Sequence, residues 1–91
     1  MLFPEGLASE DEFSKYAIEI RKKHPKSLLL ANMTEFGKTP YIPFNTFTQY
    51  GYNCVIYPVS TLRVAAKAAE DLVDDLLKYG SLEKSLPRYI R

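Results

Sequence analysis

Six residues able to do polar chemistry stand directly behind short apolar runs. Glu5 follows the first run, Asn32, Thr34 and Glu35 close the second, and Ser60 and Arg63 follow the third. In parallel α/β structures the loops after the strands gather on one rim, and ligand sites form there. A carboxylate, an amide, hydroxyls and a guanidinium on one rim suit a small ligand bearing carboxylates. The Arg fork in particular can meet a carboxylate with two hydrogen bonds. Each residue also has a plainer use. Ser60 or Thr61 either caps the helix that follows or faces a ligand. Asn32 and Thr34 either contact a ligand or bond their own backbone in a turn.

Other chemistry-bearing groups read as structural. Glu70, Asp71, Asp74 and Asp75 form a carboxylate cluster, but Lys67 with Asp71 and Asp74 with Lys78 are spaced i, i+4, so a solvated helix face is expected. His24 stands alone at a helix end, where a cation is favourable. Cys54 lies in an apolar run without a His nearby and reads as a small hydrophobe. Tyr50, Tyr52 and Tyr57 read as core or sheet-surface aromatics. No Gly-rich phosphate loop and no HExxH helix occurs.

The elements that must position these residues follow from periodicity. Met1-Leu2-Phe3, Leu28-Leu29-Leu30-Ala31 and Cys54-Val55-Ile56-Tyr57 are continuous apolar runs, as strands covered on both faces should be. Helical patterns separate them, which predicts an α/β fold with a parallel sheet. Ser9 and Glu12 make a capping box, Phe13, Tyr16, Ala17 and Ile20 share a face, and Pro25 stops that helix. Pro43 can start a short second helix, with Phe44 and Phe47 on one face and Gly51 at its end. Leu62, Ala65, Ala66, Ala69, Leu72, Val73, Leu76 and Leu77 form an apolar stripe on a long third helix that Gly80 ends. Pro87 is expected to mark a further helix boundary.

Composition narrows the function classes. The 91 residues carry 12 Lys+Arg against 11 Asp+Glu, a net charge of +1, with 46% hydrophobic residues. These are globular proportions and exclude collagen-like and disordered classes. The longest basic run is Arg21-Lys22-Lys23, so neither nucleic acid nor a membrane surface is an expected partner. No apolar run approaches the roughly 18 residues of a membrane span, and no cleavable leader is visible. A single Cys excludes a disulfide framework and points weakly to a reducing compartment.

The stretch Leu30-Ala31-Asn32-Met33-Thr34-Glu35-Phe36-Gly37-Lys38-Thr39-Pro40 resembles the LANITEFGxTP segment of 2-methylisocitrate lyases, members of the isocitrate lyase/phosphoenolpyruvate mutase superfamily. Phe3-Pro4-Glu5 resembles that family's FPEAL turn, and Tyr57 to Arg63 resembles its YPLSAFR segment. Ala65 to Gly80 resembles the helix that follows. The TEFG form and the later Arg favour the methylisocitrate branch over relatives that read closer to NMVEGG. Gly6 in place of Ala, Met33 in place of Ile, and a longer loop around Arg21 to Lys26 depart from the pattern.

The resemblance implies a TIM-type (β/α)8 barrel, typically about 250 residues. This chain would supply its last three βα units, strands six to eight, as residues 1–80. Residues 81–91 would start a carboxyl-terminal helical segment, and the chain would be incomplete on its own. The implied reaction is cleavage of 2-methylisocitrate to pyruvate and succinate, in propionate metabolism through the methylcitrate cycle. The resemblance assigns substrate binding to Glu5, Asn32, Thr34 and Arg63. It implies Mg2+, with ligands in the rest of the barrel and Glu5 beside its coordination shell, and a proton-donor cysteine loop (KRCGH) that has no counterpart here. This chain alone is therefore expected to be inactive. A di- or tricarboxylate substrate, a homotetramer or dimer, and a cytoplasmic or mitochondrial-matrix location complete the expectation. Two alternatives stand beside it: an isocitrate lyase, oxaloacetate hydrolase or phosphonomutase activity, or a non-catalytic module that associates with full-length subunits.

Overall fold

Pro4 has no N–H to give a strand, and the first apolar run stops at it accordingly. In the computed structural model, which describes all residues Met1–Arg91, the run makes one parallel bridge, Leu2 to Leu29, and no strand. Leu2 donates to the Leu28 carbonyl at 2.7 Å and accepts from Leu30 at 2.9 Å. Beside it lie β1 (Leu30–Asn32) and β2 (Cys54–Ile56), paired in parallel with Leu30 opposite Cys54 and Asn32 opposite Ile56. The α/β alternation holds, with α1 (Glu10–Lys23) before β1, α2 (Phe44–Gln49) before β2, and α3 (Ser60–Tyr79) after it.

Two-sided burial of all three runs does not hold. Leu29 and Ala31 are fully buried, but no β2 residue is, because β2 forms an edge of this sheet. The chain divides into two compact units, Met1–Ser60 and Thr61–Arg91.

The first unit is organised by three rings. Phe13 on α1, Phe47 on α2 and Tyr52 ahead of β2 pack edge to face, with centroids 5.0, 5.5 and 5.7 Å apart. Ala17, Leu29, Ala31, Met33 and Ile42 complete that core. The Tyr52 hydroxyl donates to the Phe13 carbonyl at 2.9 Å, satisfying a polar tip that would otherwise be buried unpaired. Burial pushes the Tyr52 phenol up to about 12. Ser9 caps α1 by accepting from the Glu12 amide at 3.2 Å. The Glu12 carboxylate closes the box one residue earlier than the usual pattern, on the Ala8 amide at 2.6 Å.

A polar staple joins the lower ends of these elements. Asn53 Oδ1 accepts from the Leu29 amide at 2.9 Å and from Arg21 at 3.1 Å, while Arg21 also donates to the Gly51 carbonyl at 2.8 Å. Gly51 holds φ at 86°, which permits the tight turn out of α2.

In the second unit, Gly80 ends α3 with φ at 68°, and its amide bonds the Leu76 carbonyl at 2.8 Å. The apolar stripe of α3 is not a core. No residue of α3 is buried, and Leu62 and Leu77 are 68% and 80% exposed. A stripe is buried only against an opposing surface, and within its unit α3 meets just the 3-10 helix Glu83–Arg88. Pro87 lies inside that helix rather than at its boundary. The turn is held by the Ser85 and Tyr89 amides, so no donor is needed from Pro87. The carboxylate face of α3 is partly as expected, with Lys67 paired to Asp71 at 3.1 Å. Asp75, however, accepts from Ser85 and Arg88, and Lys78 sits over the Tyr79 ring instead of pairing with Asp74.

Asn53→Ala removes an acceptor from the Leu29 amide and from Arg21, and should lower stability by about 2 kcal/mol; urea unfolding with amide exchange at Leu29 measures it. Alkaline titration should reveal Tyr52. Its folded pKa lies above the unfolded value of about 10, so its contribution is complete below pH 10 and is lost as pH rises from about 10 towards 12. Tyr52→Phe should remove that step in a melting-temperature series against pH.

Candidate functional site

The segments after Leu2 and β1 meet in a cleft of about 170 Å³. Glu5 and Gly6 line it from the first segment, Asn32 and Thr34 from the end of β1, Gly37, Lys38 and Thr39 from the loop that follows, and Phe13 from α1. Three of the residues singled out in the sequence thus share one cavity. The rim rule explains it: parallel pairing sends the residues after Leu2 and after β1 out of the same end of the sheet.

Asn32 and Thr34 do not bond their own backbone. The Thr34 hydroxyl donates to Asn32 Oδ1 at 2.7 Å. That bond occupies the amide oxygen and leaves the Asn32 NH2 group, with two donors, for a ligand. An acceptor such as a carboxylate is the group that such donors recognise.

Glu35 and Ser60 are joined to each other, the Ser60 hydroxyl donating to Glu35 Oε1. The hydroxyl therefore gives its proton to this carboxylate. The bond ties the loop after β1 to the loop after β2, which holds the two rim segments in register. Arg63 lies in the first turn of α3, in the second unit, where it is exposed and engaged by an interaction within the chain.

Lys38 is the cleft residue that the sequence reading passed over. It occupies the variable position of the TEFGxTP pattern, which hid it. A cation within six residues of a strand end was the available signal. The Thr39 hydroxyl, next to it, donates to the Leu7 carbonyl at 2.5 Å and pins this loop to the segment after Glu5.

The remaining candidates behave as structural residues. His24 is the carboxyl cap of α1, its amide bonding the Ile20 carbonyl at 2.7 Å. Cys54 is a half-buried free thiol opening β2. Tyr52 is core, Tyr50 donates to Glu10 at 2.6 Å, and Tyr57 is half-exposed. No three His, Cys, Asp or Glu side chains come together as metal ligands. Glu5 offers one carboxylate where Mg2+ takes about six oxygens, so these residues do not by themselves fit that metal. No helix is long and apolar enough to cross a membrane.

Comparison with known proteins bears on this arrangement. No family model matches the chain. The 2-methylisocitrate lyase of Aeropyrum pernix is 42% identical over 88 residues, 97% of this chain and 27% of that protein. The 2-methylisocitrate lyase of Bacillus subtilis is 46% identical over 85 residues, 93% of this chain and 27% of that protein. Among solved structures, a 2,3-dimethylmalate lyase, described as a PEP mutase/isocitrate lyase superfamily member, superposes with a TM-score of 0.75. It is 26% identical, over 89% of this chain and 27% of that one. The resemblance carried by Leu30 to Pro40 therefore extends over nearly the whole chain. The chain spans about a quarter of the length of the curated relatives it matches.

Proposed function

We propose that this chain is a segment of a carbon–carbon lyase of the 2-methylisocitrate lyase kind, cleaving 2-methylisocitrate to pyruvate and succinate. The observation that carries the reading is the Asn32–Thr34 pair, set in a cleft with Glu5 inside a stretch that aligns with such lyases. The segment corresponds, in this reading, to strands six to eight of a (β/α)8 barrel, and it is inactive without the remainder. The complete protein acts as a homo-oligomer in the cytoplasm.

In the cleavage, the hydroxyl on C2 of the substrate gives up its proton and the C2–C3 bond breaks. C2 becomes the keto carbon of pyruvate, the electron pair stays on C3, and a proton delivered there completes succinate. Charge moves between carboxylate-bearing carbons, so rate depends on holding the carboxylates still. The Asn32 NH2 group holds one carboxylate, with Thr34 fixing the amide orientation. Arg63 pairs with another through its fork. Glu5 takes up a ligand hydroxyl or water at the cleft wall. Mg2+, held by residues outside this segment, would supply charge stabilisation. The proton donor also lies outside it.

The 2,3-dimethylmalate lyase match supports a second reading, in which a related substituted malate is the substrate. Assaying the complete protein against 2-methylisocitrate and 2,3-dimethylmalate decides between them. Stoichiometric pyruvate and succinate from the first supports the main reading, and turnover of only the second replaces it. Arg63→Lys keeps charge but loses the fork, and should lower kcat/KM by roughly 10–100-fold, about 1.5–3 kcal/mol, with the melting temperature little changed. A variant of full efficiency that melts much earlier would make Arg63 a structural ion-pair partner.

A further inference from the structure

We propose that Lys38 is a further anion-binding residue of the Glu5–Asn32–Thr34 cleft, its ammonium meeting one carboxylate of a di- or tricarboxylate whose other end is held by the Asn32 amide. The ligand class rests on the function proposed above. The placement of the charge does not.

Lys38 lines the same cleft as Asn32 and Glu5 and is solvent-exposed. Four other cations of the chain are committed: Lys15 to Asp11, Lys22 to Glu19, Lys67 to Asp71 and Arg88 to Asp75. Lys38 makes no such pair, although Glu5 shares its cavity. An ammonium on a four-carbon stem, with three donors unspent, is therefore available at the mouth. Its backbone is held on both sides. Thr39 is bonded to the Leu7 carbonyl, and Gly37 lies close enough to Thr34 that a Cβ there would sit 3.5 Å from the Thr34 carbonyl oxygen.

Glu5 and Lys38 are the two charged residues of the cleft lining. Glu5 alone would make the cleft repel a carboxylate, and Asn32 contributes dipoles without net charge. Lys38 brings the lining to neutrality and carries its charge on a different segment from that of Glu5. A ligand with one hydroxyl and several carboxylates matches that division. About 170 Å³ has room for a molecule displacing five or six waters at roughly 30 Å³ each.

The test is calorimetric titration of the complete protein with succinate and with citrate, alongside the cleavage assay. Lys38→Gln should weaken both probes by about 10-fold, citrate more than succinate, and Lys38→Arg should restore them. Wild-type affinity should fall as salt rises from about 20 to 300 mM, and that dependence should flatten in Lys38→Gln. This pattern in a protein that does not cleave 2-methylisocitrate would leave Lys38 in place and remove only the proposed reaction. Unchanged affinity and salt dependence in Lys38→Gln would overturn the Lys38 assignment while leaving the reaction intact. Failure of the wild type to bind either probe would overturn both. Binding lost in Lys38→Gln with an earlier melt, and not restored by Lys38→Arg, would make the residue structural and also overturn it.

Discussion

Tyr52 performs two functions that the first unit cannot separate. Its ring completes the edge-to-face cluster with Phe13 and Phe47, and its hydroxyl satisfies the Phe13 carbonyl from inside the core. The three rings belong to α1, α2 and the segment before β2, so one cluster fixes how both helices lie on the sheet. Phe13 also lines the cleft. Packing and site therefore share a residue, and a shift of α1 along its axis would alter both. Aromatic rings suit this role because each removes a large apolar area from water while its edge and face constrain the neighbour's angle.

Polar bonds then set the rim in a way the rings cannot. Asn53 ties the start of β1 to Arg21 at the far end of α1, at the amino ends of the strands. At the opposite end, Ser60 with Glu35 and Thr39 with Leu7 join successive loops to one another. Each bond joins segments distant in sequence, so loops with little secondary structure hold defined positions. Pre-positioned polar groups on such loops cost less to organise when a ligand arrives. The Asn32–Thr34 bond is the local example, because it selects which end of the amide faces outward.

The second unit shows the reverse situation. The α3 stripe is as periodic as any core helix, yet Leu62, Leu76 and Leu77 are exposed and none of its residues is buried. Helical stability in proteins comes mostly from packing an amphipathic face. Here the Asp75–Ser85–Arg88 network supplies order instead, with Ser85 itself 1% exposed. Such a charged and hydroxyl network holds the 3-10 helix on α3 without requiring the stripe.

Local rules were enough for α1, whose Ser9 cap and terminal Pro25 act over a few residues, and for Gly80, whose φ ends α3 wherever that helix lies. Local order also placed Glu5, Asn32 and Thr34 behind successive apolar runs, which is why that part of the site was legible in the sequence. Burial was not legible. Whether Leu77 or Leu29 is covered depends on which surface stands opposite, and periodicity carries no such information. Partner choice was equally hidden: Ser60 finds Glu35 across 25 positions, and Asp75 finds Arg88 where i, i+4 spacing suggested only a solvated face. Lys38 enters the cleft because a bonded loop brings it there. The sequence determined the elements and the order of their polar ends, since those follow from short-range sterics and hydrogen bonding. Only the tertiary structure decided which polar ends meet, because that depends on distances between segments that neighbouring residues do not constrain.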